Sequence, residues 1–178
     1  MSASSTWAKS IVISALLFVG CTSTSKTVSV PAMTTIYVVR HAEKLTTDHD
    51  TPLSPRGEAR AKALAEKLAD AGVQQVYATT LQRTQQTVGP LAEARGLSII
   101  TIEPTAVDSL VHRVKATDRG KVVLVAGHNH TVPAIVQGLS GWTVDPIPEN
   151  VCDRLYRVEL PEDGAAVVTL FSYGEPTP

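Results

Sequence analysis

Thr35-Ile36-Tyr37-Val38-Val39-Arg40-His41-Ala42-Glu43-Lys44 is the stretch that decides how this chain is read. Its first half is a nearly unbroken, β-branched apolar run, the pattern of a strand covered on both faces, which belongs to α/β folds. Its second half is polar and titratable. Charged groups at the exit of a buried strand are costly unless they do chemistry, and in open α/β sheets ligands bind in the crevice beyond the strand ends. Taken alone, Arg40-His41 reads slightly better as a polar cap on a strand; two later stretches decide otherwise.

Downstream, the loop His41 to Leu53 has no periodicity. Ser54-Pro55 starts a helix, with serine as N-cap and proline at the first helical position. Ala61, Leu64, Ala65 and Leu68 follow at helical spacing, and Gly72 supplies a left-handed stop. Val73 to Thr79 reads as a second strand. Leu81 to Arg95 reads as a helix that Gly89-Pro90 should kink or split. Leu97 to Ile102 is a short strand, Ala106 to Ala116 a helix, and Val122 to Ala126 the most apolar strand. Val132, Ile135, Val136 and Leu139 mark a last helix, and strands over Arg154 to Leu160 and Ala165 to Tyr173 flank the Glu162-Asp163-Gly164 turn as a hairpin. Alternating strands and helices predict a three-layer α/β/α sandwich with a mostly parallel central sheet.

Upstream, residues 1–33 read as targeting rather than fold. Lys9 precedes the apolar run Ile11 to Val19, which is too short to span a bilayer. Phe18-Val19-Gly20-Cys21 resembles a bacterial lipoprotein signal, although Phe18 stands where leucine is usual. The resemblance implies a signal peptide over 1–20 and lipidation of Cys21. Residues 21–33 then form a Ser/Thr-rich tether and 34–178 one domain. It implies a lipid-anchored place in the cell envelope; Thr22, in place of a retaining aspartate, points to the outer membrane, facing the periplasm. Lipidation of Cys21 leaves Cys152, the other cysteine, as a structural thiol with no partner. The net charge of −1 argues against nucleic-acid binding.

Beyond Arg40-His41, two stretches carry chemistry. In Thr80-Leu81-Gln82-Arg83-Thr84-Gln85-Gln86-Thr87, Thr80 as N-cap puts Arg83 at the third helical position, where a cation opposes the helix dipole unless an anion is near. In Gly127-His128, a histidine leaves a core strand as His41 does, before a helix N-terminus. If the two strands are neighbours, two arginines and two histidines meet in one crevice, a site for a tetrahedral dianion.

These pieces, with Leu53-Ser54-x-x-Gly57-x-x-x-Ala61, resemble the histidine phosphatase superfamily, the phosphoglycerate-mutase-like clan, in a short SixA-like form. Ala42 stands where that family more often has glycine, and Lys44 where it has serine or threonine. The resemblance implies a metal-independent phosphoric monoester hydrolase needing no cofactor and acting on a small phosphorylated substrate. His41 would take the phosphoryl group as phosphohistidine, and Arg40 and Arg83 would hold its oxygens. A protonated His128 would complete the pocket. Asp108 and Glu43 are candidate proton donors, with Glu103 and Asp50 as further possibilities. Three other readings stay open: an inactive phosphate-binding module of the same fold, a phosphoryl mutase, and a metal hydrolase built on His128-Asn129-His130. Neither oligomeric state nor physiological substrate is legible in the sequence.

Overall fold

The computed structural model describes residues 33–177. The signal peptide, Cys21 and the tether up to residue 32 therefore lie outside the described residues. The elements are β1 (Thr34–Arg40), α1 (Pro55–Lys67), β2 (Gln75–Thr79), α2 (Gln82–Ala94), β3 (Ile99–Ile102), α3 (Val107–Thr117), β4 (Val122–Gly127), α4 (Thr131–Ser140), β5 (Arg154–Leu160) and β6 (Val167–Ser172).

The strands form a six-stranded sheet in the order β3-β2-β4-β1-β5-β6. β3, β2, β4 and β1 are parallel, and β5 and β6 add the expected antiparallel hairpin at one edge. Strand alternation sorts the core into two halves. Ile36, Val38, Val123 and Val125 pack with Leu110 and Val114 of α3 and Val132 and Ile135 of α4. Val39, Leu124 and Ala126 point to the other face, against Leu64 of α1 and Val88 and Leu91 of α2. This is the three-layer sandwich that the sequence pattern implies.

Two local expectations need correction. The helix over residues 82–94 runs through Pro90 without a split. Burying Val88, Leu91 and Ala92 on the sheet outweighs the one backbone hydrogen bond that proline removes. That helix is also capped differently. Leu81 occupies the N-cap without a side-chain bond, so Arg83 is the second helical residue. The missing cap comes from outside, because the Gln82 N–H donates to Asp50 Oδ1 at 2.9 Å.

α1 starts as its sequence predicts. Ser54 Oγ accepts from the Gly57 N–H at 3.2 Å, and Pro55 takes the first position. Gly57 allows α1 to lie against the loop after β1, since a Cβ there would come within 2.2 Å of the Glu43 carbonyl oxygen.

Candidate active site

β1 and β4 are adjacent and parallel, with Arg40 opposite Gly127. His41 and His128 therefore leave the sheet side by side, and the His41 N–H donates to the Gly127 carbonyl at 2.9 Å. Their rings meet edge to face with centroids 5.4 Å apart. β2 flanks β4 on its other side and delivers the N-terminal turn of α2, with Arg83, to the same end of the sheet. A Cβ on Gly127 would stand 2.8 Å from Thr131 Oγ1, the group that accepts from the His128 N–H at the start of α4.

His41 is 4 % exposed. Its Nδ1 lies 2.8 Å from the Ala42 carbonyl, an acceptor only, so Nδ1 carries the proton and Nε2 keeps its lone pair. Burial lowers its pKa from 6.5 to about 3; the Ala42 bond opposes the shift and Arg40, Arg83 and His128 add to it. A neutral imidazole with a free Nε2 is the form that attacks an electrophile.

Protonation of His128 is disfavoured as well while no anion faces the two guanidinium groups. Burial, and after it the Arg83 charge, lowers its pKa to about 4. A cation is expensive in a buried site already holding two guanidinium groups. His128 Nε2 lies 3.1 Å from Thr79 Oγ1, and Thr79 Oγ1 lies 2.8 Å from Thr84 Oγ1.

Arg40 is buried, with Nη1 donating toward the carbonyls of Pro148, Glu149 and Val151. Arg83 Nη1 donates to the His49 carbonyl at 2.6 Å, and burial pulls its pKa below the usual guanidinium value. The Nε atoms of both arginines are buried without a hydrogen-bond partner among the described residues. An unanswered buried cationic donor is costly, and two of them beside two neutral imidazoles suit an anion with several acceptor oxygens. His130 stacks on His128 at 5.7 Å and adds to the positive potential felt there.

The stretch from Ala42 to Lys44 is fully placed. Ala42 is 0 % exposed and packs against Leu53 and Ala61, so its methyl group fills space where α1 meets the loop. Its N–H donates to Thr87 Oγ1 at 2.9 Å, and Thr87 Oγ1 donates to the Arg83 carbonyl at 2.7 Å. One threonine thus ties the His41 loop to the Arg83 turn. Lys44 Nζ lies 3.4 Å from Glu149 Oε1 at the rim of a cleft of about 160 Å³ lined by Arg40, His41 and Cys152. Cys152 is buried and free, and burial pushes its thiol up.

The candidate proton donors differ in how far they are already engaged. Glu43 is bound by Arg60, whose Nε lies 3.0 Å from both carboxylate oxygens and whose Nη2 lies 2.7 Å from Oε1. Burial works against the Glu43 charge, but the bonds from Arg60 and the nearby Arg56 hold its carboxyl below the usual range. That describes a structural carboxylate, because Arg60 is itself buried and needs the counter-charge. Asp50 caps α2. Asp108 and Glu103 are exposed, and among the described residues the Asp108 side chain makes no hydrogen bond or ion pair. Likewise, among the described residues no cluster of three or more His, Cys, Asp or Glu is arranged around a metal position. The His128 and His130 rings are stacked and nearly parallel, 11° apart.

Three parts of the site carried no recognised signal. The carbonyls of Pro148 to Val151 that hold Arg40 are main-chain groups, to which side-chain reading is blind. The Arg60–Glu43 pair joins residues of a helix and a loop that only the fold brings together. Thr79 lay in plain view, at the end of a strand, without a partner to give it meaning.

Residues 36–104, less than half of the chain, match the family model of the histidine phosphatase superfamily (branch 1). The matched segment carries Arg40, His41 and Arg83. A protein named Probable phosphoglycerate mutase GpmB from Enterobacter sp. (strain 638) is 36 % identical over 75 residues, covering 38 % of this chain and 35 % of that protein. The chain therefore spans about a third of that relative's length. The protein histidine phosphatase SixA complexed with tungstate superposes with a TM-score of 0.63 at 19 % identity, covering 78 % of this chain and 96 % of that one. A mycobacterial glucosyl-3-phosphoglycerate phosphatase gives a TM-score of 0.65 at 13 % identity, with coverage of 80 % and 100 %. These likenesses establish the fold, the α/β architecture of phosphoglycerate-mutase-like histidine phosphatases.

Proposed function

We propose that this chain is a phosphatase that hydrolyses small phosphomonoesters through a phosphohistidine on His41, without a metal. The observation that carries this reading is the juxtaposition of a neutral His41 with two arginines, where among the described residues neither His41 Nε2 nor the two buried arginine Nε donors have a partner. Nε2 attacks phosphorus, the ester P–O bond breaks, and the leaving oxygen takes a proton. Water then attacks the phosphorus of the phosphohistidine, inorganic phosphate leaves, and Nε2 is regenerated. Arg40 and Arg83 bind the equatorial oxygens throughout, and they gain most where charge spreads in transfer. A dianion beside His128 offsets the two guanidinium charges that oppose protonation, so the ring becomes a donor to the phosphoryl group when substrate is bound. The complex of SixA with tungstate, a tetrahedral oxyanion, agrees with such a pocket on this fold.

For the leaving-group proton we propose Asp108, at the start of α3. Asp108→Asn should lower hydrolysis of an alkyl phosphate more than that of an aryl phosphate, whose leaving group needs no proton. Equal effects on both would remove Asp108 from the reaction. A mutase shares these steps up to the phosphohistidine and differs in its acceptor. Release of inorganic phosphate in water without a second hydroxyl compound supports the hydrolase, and transfer only between hydroxyls of a sugar acid would support the mutase named among the relatives.

The run before the domain supports an extracytoplasmic place for this activity: residues 1–20 as signal peptide, Cys21 lipidated, residues 21–33 as tether to residues 34–178, and the domain held at the outer membrane facing the periplasm. Growth with a labelled fatty acid tests it. The label should enter the native chain and be lost in Cys21→Ala; label retained in that variant would refute the anchor.

A further inference from the structure

We propose that Thr79, oriented by Thr84, is a positioning residue that fixes which nitrogen of His128 carries the proton. The inference rests on the phosphatase reading for its consequence but not for its geometry.

The direction of the hydrogen-bond chain follows from counting hydrogens. A threonine hydroxyl has one proton to give. Thr84 Oγ1 lies 2.8 Å from the Leu81 carbonyl and 3.1 Å from the Thr79 carbonyl. Carbonyls only accept, so the Thr84 hydroxyl proton goes to them. Thr79 Oγ1, 2.8 Å away, must then be the donor between the two hydroxyls, because otherwise two oxygen lone pairs would face each other at hydrogen-bond distance. Its single proton is thereby spent on Thr84. The remaining contact, 3.1 Å from Thr79 Oγ1 to His128 Nε2, then requires the proton to sit on Nε2.

All three side chains are almost wholly buried, with Thr84 at 0 % and Thr79 and His128 at 3 % exposure, so water is not a ready substitute partner. The backbone anchors each link. The Thr79 hydroxyl is delivered by the last residue of β2, Thr84 by the first turn of α2, and the His128 N–H is bound by Thr131 Oγ1 at 2.8 Å. The chain of bonds therefore leaves neutral His128 as the Nε2–H tautomer, with Nδ1 free of partners among the described residues. In the phosphatase, Nδ1 is then the atom that takes up a proton when the phosphoryl group arrives. Thr79 touches neither substrate nor phosphorus; it acts through His128.

The test reads the tautomer directly in the full chain, without substrate. Two-bond proton–nitrogen correlation spectra of uniformly labelled protein identify the protonated nitrogen of each neutral histidine, and loss of signals in His128→Gln assigns His128. The native chain and Thr79→Ser should show His128 protonated at Nε2. Thr79→Val and Thr84→Val, which keep shape and remove one hydroxyl each, should give a mixture of tautomers. In kinetics, Thr79→Val should lose about tenfold in kcat/KM on an aryl phosphate, and Thr79→Ser should restore most of it. Native His128 protonated at Nδ1, or a tautomer unmoved by Thr79→Val, would overturn the proposal. The expected tautomers in a chain that hydrolyses no phosphate ester would overturn the phosphatase reading and leave the hydrogen-bond chain standing.

Discussion

Replacing His41 with glutamine should make the protein relatively more stable in acid, by an amount that the burial of the ring determines. His41 is 4 % exposed and its pKa is lowered from 6.5 to about 3. The unfolded chain therefore binds a proton at this residue as the pH drops through 6.5, whereas the folded chain refuses it until about 3. A depressed folded pKa of this kind costs no stability above 6.5 and takes stability away steadily across the interval below it. Each pH unit within the interval is worth about 1.4 kcal/mol, so at about pH 5 the accumulated loss is about 2 kcal/mol. Glutamine does not titrate and escapes it. His41→Gln loses the packing and the Ala42 hydrogen bond equally at both pH values, so comparing the two cancels those terms. Urea unfolding of native and variant chains at about pH 7.5 and about pH 5 should show the stability difference moving by about 2 kcal/mol in favour of the variant in acid. A difference that stays constant would mean that His41 titrates in the folded chain near its ordinary value. That result would remove the physical basis for a neutral imidazole nucleophile below neutral pH.

Other perturbations separate holding from reacting. Arg83→Lys keeps the charge but loses the fork, and should lower kcat/KM on an aryl phosphate by about 10- to 100-fold while weakening inhibition by vanadate; unchanged kinetics would free Arg83 from phosphoryl binding. Glu43→Gln should destabilise the fold by about 3 kcal/mol in urea unfolding, because Arg60 is left buried without its carboxylate, while the folded variant keeps its leaving-group dependence; a selective loss on alkyl phosphates would restore Glu43 as the acid. Gly57→Ala drives a methyl group to 2.2 Å from the Glu43 carbonyl and should cost about 1–3 kcal/mol in thermal or urea unfolding; native stability would refute the tight contact between α1 and the loop.

The fold was legible because burial and periodicity agree in most elements. Ile36 to Val39 and Val122 to Ala126 are apolar on both faces because helices cover both, and α1 announces itself with a serine cap, a proline and a 3.6-residue stripe. Pro90 does not split its helix because local propensity is a small term beside the burial of Val88, Leu91 and Ala92. At the site, the motif residues could be named from sequence, but not their protonation. The charge of His128 depends on what is bound, because burial and then Arg83 lower its pKa and only an anion in the site would offset the guanidinium charges. Asp50 gave no hint that it caps α2 from the preceding loop, since that contact joins positions 32 residues apart. Ala42 departs from the more usual glycine of a familiar pattern, and its methyl group packs with Leu53 and Ala61.

The central claim is that His41 carries the phosphoryl group. Mixing the full chain rapidly with an excess of an aryl phosphate, quenching in base where phosphohistidine survives, and sequencing the peptides by mass spectrometry measures this directly. The account predicts a phosphoryl group on the peptide containing His41, on that residue, formed at least as fast as turnover and absent from His41→Ala. Turnover with no phosphorylated peptide, or with the group on another residue, would contradict it.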